Sequence, residues 1–294
     1  MSGREPAWVS VLPDEDYHHS FGLKAGSARA FFAPTSGNAE LLAQRRHWLR
    51  SDPARCAALL PGAGPLLEET IALAGSFGEL VSDPAGRETK QERAGSETGA
   101  PAHVADDFAR CLALGEAWEP DYLLLKQDAN DGRFHLVGGC VCFPSSWRFE
   151  EKVGQPLEVI HTPVPHLNEQ LASPIHNFLS RLKPGSAWCR ANWGLSRSPE
   201  LNQHPARGLP KLRPPLRQDE VWLRIEDQAL VALPQSHGVL FGIRMTVIPL
   251  AEVNRHPAAV RGLARALRTM PVAMLEYKGL LAAKDELLRL LTNE

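Results

Sequence analysis

Apolar positions recur at helical spacing over the first third of the chain and at strand spacing from residue 121 onward. Residues 38–50 place Leu41, Leu42, Trp48 and Leu49 on an amphipathic helix, with Asn38 ahead of it as a cap. Pro65 opens a second helix over 65–81, whose first turn carries Glu68 and Glu69, favourable charges at a helix N-terminus. Residues 83–105 hold no large aliphatic side chain except Val104 and are expected to form a flexible, solvated loop.

Beyond Asp121, YLLLKQ, the turn signal Asn130-Asp131-Gly132 and FHLVGGCVCF read as a β-hairpin. Gly138-Gly139 within its second strand suggests a bulge, or a close approach of the backbone to something bulky. A short helix over 146–153, another after Pro156 and a longer one over 168–182 follow. The last carries Leu171, Ile175, Phe178 and Leu182 on one face and should start or kink near Pro174. Residues 221–233 and 238–248 form a second hairpin around Pro234–His237. There Val221, Leu223 and Ile225 take one face, and Trp222, Arg224, Glu226 and Gln228 the other. Pairing around that turn is expected to bring Arg244 close to Gln228, onto the Arg224/Glu226 side. From 256 the chain is helical again, with a break at Pro271. Helices flanking an antiparallel sheet predict an α+β fold. A helical extension over 1–120 and a core over 121–294 are expected to form one integrated domain.

Composition narrows the function classes. Lys+Arg 32 against Asp+Glu 34 leaves a net charge of −2, without the basic excess of a general nucleic-acid binder. No apolar run reaches the roughly 18 residues that a membrane helix needs. The first residues, Met1 to Pro6, lack the apolar core of an export signal, so a cytoplasmic protein is expected. The five cysteines are scattered and read as reduced thiols packed as small hydrophobes. Cys140 and Cys142 are expected to face opposite sides of a strand and not to chelate one metal.

Familiar nucleotide and hydrolase fingerprints are absent: the chain has no G-x-G-x-x-G, P-loop, H-E-x-x-H, C-x-x-C or G-x-S-x-G. Two constellations stand out. In Ile160-His161-Thr162-Pro163-Val164-Pro165-His166, two prolines stiffen the backbone after His161. A neutral imidazole so held suits haem iron or another metal, with His166 as the competing ligand. A helix-terminal histidine bonded to a carbonyl would give the same pattern, and His135, alternating in a strand, reads as a sheet residue. The second constellation is Arg224, Glu226, Gln228 and Arg244, either a buried charge network or a solvated sheet face.

The segments LVGGCVCFPSSWRFEEKVGQPLEVIHTPVP (136–165), RANWGL (190–195), LRIEDQALVALPQSHGVLFGIR (223–244) and LEYKGL (275–280) resemble the haem-dependent oxidative N-demethylase family. The resemblance runs nearly continuously from about Asp121 to Leu280. It implies a PAS-like antiparallel sheet that cradles haem b and uses dioxygen to N-demethylate a small secondary amine such as dimethylamine. It also implies electrons from NADPH, passed through FMN and [2Fe–2S] on reductase or flavoprotein partner subunits. Carried over by motif, His161 is the expected iron ligand, and Arg224, Glu226 and Arg244 are the candidates around the reacting site. Arg224 and Gly139 are candidate haem contacts. Asp227 after Glu226, His166 after the last proline of the motif and Lys126 before Gln127-Asp128 depart from the family pattern. His166 offers iron a second imidazole, which would close the oxygen site. A haem-binding PAS-type sensor without turnover, or a haem-free structural subunit, would carry much of the same pattern.

Overall fold

The computed structural model describes residues 5–18, 21–77, 102–184 and 187–292. Seven strands form one antiparallel sheet: β1 (Lys24–Gly26), β2 (Ala57–Leu59), β3 (Asp121–Gln127), β4 (Phe134–Cys140), β5 (Ala187–Ser196), β6 (Trp222–Leu233) and β7 (Gly238–Pro249). Their order is β1-β5-β6-β7-β3-β4-β2, so the sequence-adjacent hairpins β3–β4 and β6–β7 meet through β3 and β7. The two edge strands come from the N-terminal third.

The helices are α1 (Ala28–Phe32), α2 (Ala39–Ser51), α3 (Pro53–Cys56), α4 (Gly64–Ser76), α5 (Ala102–Ala117), α6 (Leu157–His161), α7 (Leu167–Leu179), α8 (Leu250–Val253), α9 (Pro257–Thr269), α10 (Val272–Tyr277) and α11 (Lys284–Thr292). Among the described residues, none is long and apolar enough to cross a membrane. One sheet face packs against the N-terminal helices around Phe32, Leu66, Trp118 and Val231, and against the C-terminal helices around Leu223, Ile225, Leu263 and Leu287. The other face packs Leu123, Leu125 and Val239 beneath α7, through Leu179 and Ile175. This is the α+β arrangement that the periodicities predict.

Both hairpins form as expected. In β4 the register against β3 skips Val137: Leu124 faces Gly138 and Leu125 faces Leu136, so the strand bulges there. Gly139 follows at φ 140°, and a Cβ on it would overlap the Tyr122 carbonyl oxygen and stand 2.8 Å from Leu123 Cα. The close approach is thus to β3, and Gly139 packs against protein backbone where a haem contact was expected. Gly139→Ala is expected to destabilise the fold by about 3 kcal/mol, seen as a lower urea midpoint at unchanged slope. Gly132→Asn, in a turn with open space around it, should change stability by less than about 1 kcal/mol.

Several expectations need correction. Asn38 precedes α2, but its side chain donates to Glu119 (2.6 Å) and makes no cap. Residues 83–101 lie outside the described residues, whereas 102–105 open α5 and are helical. The piece over 146–153 is a turn in which the Lys152 and Val153 amides share the Phe149 carbonyl. Ser146 at φ 61° and Gly154 at φ 84° stop it from extending. Pro174 sits inside a continuous α7. Cys140 and Cys142, two residues apart, share a side, with their sulfurs 3.8 Å apart, since strand side chains repeat every second residue. All five cysteines are free thiols, four of them buried. Arg45 and Asp121 form a buried ion pair (2.6 Å), and Asp121 also accepts from the Cys142 and Phe143 amides. That network ties the start of β3 to the end of β4.

Candidate functional site

Cross-strand partners share a sheet face, which fixes the grouping of side chains on β5, β6 and β7. Arg190, Gln228 and Ile243 lie together, then Asn192, Glu226 and Met245, then Gly194, Arg224 and Val247. β6 has strands on both sides, yet on this face Glu226, Met245, Ile243 and Arg190 are only half-buried and Asn192 is exposed. A Cβ on Gly194 would touch nothing within 4 Å, so open space continues opposite Arg224.

Polar contacts order this face. Arg190 Nε donates to Gln228 Oε1 (2.7 Å), and Gln228 Nε2 donates to Glu226 Oε2 (3.0 Å). Gln228 therefore holds a guanidinium and a carboxylate in fixed relation. Burial pulls the Arg190 pKa below its ordinary value, with the Glu226 charge pulling the other way. Lys278, just beyond α10, donates from Nζ to the Trp193 carbonyl (2.7 Å) on β5 and lies 5.2 Å from the centre of the Trp193 ring. Burial brings its pKa down to about 8 against the opposing charge of Glu226. Neither Arg190 nor Lys278 was singled out from the sequence, although both stand inside the conspicuous segments RANWGL and LEYKGL.

Arg224 is buried, and its two terminal nitrogens are engaged by protein, while Nε has no hydrogen-bond partner among the described residues. Nη1 and Nη2 donate to the carbonyls of Glu200 (2.7 Å) and Leu201 (2.8 Å), and Nη2 lies 3.4 Å from Ser145 Oγ. Burial brings its pKa down to about 10, with Glu226 opposing. It clamps the 200–201 loop over one end of the open face. Arg244 is elsewhere: it pairs with Asp227 across the hairpin and so lies on the opposite face. There it ion-pairs with buried Glu119 and donates to the Phe31 (2.6 Å) and Ala33 (2.7 Å) carbonyls. Asp227, the departure from the family pattern, shares that opposite face and leaves the Glu226 side unchanged.

His161 ends α6, and the chain turns into α7 within the next five residues. Its ring pKa is pushed down to about 4 by burial, then by the nearby Arg190 guanidinium and Lys152; Glu158 opposes the shift. The imidazole is accordingly neutral at neutral pH, with one nitrogen lone pair available. This links His161 electrostatically to Arg190, and through Gln228 to Glu226. His166 is different: it adopts φ 58° at the start of α7, bonds Glu169 (3.0 Å) and has a side chain 62% exposed. His135 bonds the Gly154 carbonyl and Asp131, as a sheet residue tying down its hairpin. Among the described residues no group of three or more His, Cys, Asp and Glu side chains could hold a metal ion.

The site combines a neutral, half-buried imidazole, three cations and a carboxylate around a partly open sheet face. The residues that build it, from His161 through Arg190 and Glu226 to Lys278, fall within residues 83–288. That stretch matches the family described as haem-dependent oxidative N-demethylase, alpha subunit-like, and the chain belongs to that family.

Proposed function

We propose that this chain is the haem-carrying subunit of an oxidative N-demethylase for a small secondary amine of the dimethylamine type, with dioxygen as oxidant. The observation that carries the reading is the neutral, half-buried His161 beside the open face bearing Arg190, Gln228 and Glu226. The donor chemistry suits a haem. His161 offers an uncharged nitrogen to iron, Arg190 and Lys278 offer cations to propionates, and Ile243 and Met245 offer apolar surface. Gly194 keeps space free where a side chain would intrude. The cavity beside His161, about 10 Å³, is far too small for a macrocycle, which would instead occupy the open face.

When bound, the haem supplies the redox chemistry of its iron. The chain supplies placement and electrostatics. Glu226 attracts the protonated amine, and Gln228 holds one carboxylate oxygen so that the other remains free to receive it. Arg190, fixed at Nε, presents its remaining N–H groups to negative charge on the same face. Arg224 maintains the rim through the 200–201 carbonyls.

In this reading the sheet is PAS-like, and the 1–120 and 121–294 segments fold as one domain. The contribution of both edge strands by the N-terminal third supports that unity. Electrons come from NADPH through FMN and [2Fe–2S] centres on partner subunits, in the cytoplasm. The chain loaded with haem, given a reductant, air and dimethylamine, is expected to release formaldehyde. Haem-loaded protein that binds the amine but yields no formaldehyde would instead be a ligand-binding module.

A further inference from the structure

Beside the open face, α6 and α7 enclose a second polar feature. Glu158 Oε2 and Asn168 Oδ1 are both buried, and neither has a hydrogen-bond partner. Burying such acceptors without a donor is costly, so the fold must satisfy them in another way. The orientation of Asn168 is fixed, because its Nδ2 donates to the Glu158 carbonyl (2.7 Å) and leaves Oδ1 as the acceptor. Both residues line one cavity with His161 and, on the α7 side, His176, whose ring stands edge-on to Phe134; Phe134, Leu157 and Leu179 form its apolar walls. Its volume, about 10 Å³, is the room that one water needs. The His161 ring, in turn, is shifted by burial and by neighbouring charges, with no hydrogen bond to it among the described residues.

We propose that this cavity is a single-water site joining His161 to Glu158 and Asn168, and that Glu158 is thereby a positioning residue for the imidazole. A water has two protons to give and lone pairs to receive. It donates one proton to Glu158 Oε2 and one to Asn168 Oδ1, and accepts the His161 ring N–H. All three groups are then satisfied by one molecule. The arrangement selects one tautomer: the protonated ring nitrogen faces the cavity, and the other keeps its lone pair. A carboxylate held behind an imidazole in this way also makes it a stronger donor to a metal. Only that last consequence rests on the proposed role of His161 as iron ligand.

A crystal structure of the full chain, together with ring-nitrogen NMR of His161, tests the proposal. One ordered water is expected within hydrogen-bond distance of Glu158 Oε2, Asn168 Oδ1 and a His161 ring nitrogen. The two ring nitrogens should resonate far apart, as for a single tautomer. Glu158→Gln keeps an acceptor and should keep both the water and the tautomer, whereas Glu158→Leu should lose the water and draw the two resonances together. In haem-loaded protein, Glu158→Gln should raise the reduction potential, since it removes negative charge behind the ligand. A dry cavity, a direct Glu158–His161 bond, or unchanged ring resonances in a folded Glu158→Leu variant would overturn the proposal. Should that variant fail to fold, the wild-type water and the Glu158→Gln potential decide. A chain that binds no haem yet shows the water and the single tautomer would refute the ligand role and leave this site standing.

Discussion

Replacing Glu226 by glutamine is expected to lower kcat/KM for a secondary amine by about a hundredfold, or about 2.7 kcal/mol, with haem content unchanged. The substitution keeps the shape of the side chain and an oxygen that can accept from Gln228 Nε2, now 3.0 Å from Glu226 Oε2. What disappears is the negative charge on a face whose other charges, Arg190, Arg224 and Lys278, are positive. An ammonium group brought to that face would then meet cations alone. Truncating one partner of a desolvated charge pair commonly costs 2–5 kcal/mol, so the expected loss is at the modest end of that range, as suits a half-buried site. Arg244→Leu is the contrasting change. Arg244 lies on the other face against Glu119, so its replacement should lower stability by leaving that buried carboxylate unpaired. The folded fraction should keep its specificity for amines. A variant of Glu226 with unaltered kcat/KM would remove the amine-anchoring role from this residue.

Replacing His161 by alanine is expected to weaken haem binding by at least about a hundredfold, the upper end of what loss of a group that merely supports a ligand costs. His166→Ala is expected to bind haem as the unaltered chain does. The contrast follows from environment. His161 is held by a short helix and two following prolines, and burial keeps its ring uncharged. His166 points to solvent and is engaged by Glu169, so binding iron through that nitrogen would require the hydrogen bond to break and the ring to turn. Haem optical titrations of the two variants check this. Loss of binding in His166→Ala alone would transfer the ligand role to that residue.

These two residues were both visible in the sequence, for different reasons. His161 stood out because proline on its C-terminal side restricts the backbone locally, and local restrictions are legible without a fold. Glu226 stood out because strict alternation along β6 separates it from Leu223 and Ile225, which are buried on the other face. Arg244 was misplaced by one position. The four-residue turn pairs Leu233 with Gly238, which sets Arg244 opposite Asp227 and Ile243 opposite Gln228. A slip of one residue moves a side chain to the other face, and hydrophobic pattern alone did not fix the register, because β7 is apolar on both faces near its start.

Arg190 and Lys278 were hidden for a deeper reason. β5 alternates weakly, with Arg190, Ala191 and Asn192 in succession, and its pairing with β6 joins segments far apart in the chain. Lys278 reaches the site only because the end of α10 comes back over β5 to the Trp193 carbonyl. Helix α5 escaped too, although Phe108, Cys111, Leu112 and Leu114 pack into the core under the N-terminal helices. Its start lies next to a polar stretch whose composition reads as loop.

The central claim is that the chain holds haem through His161 on the open face of its sheet. The absorption spectrum of the purified full chain titrated with haem tests it most directly. One equivalent of haem should give a saturating Soret band of an imidazole-bound haem, and His161→Ala should abolish it at the same haem concentration. A spectrum that is only that of free haem, or a band that survives unchanged in the His161→Ala chain, would contradict the account.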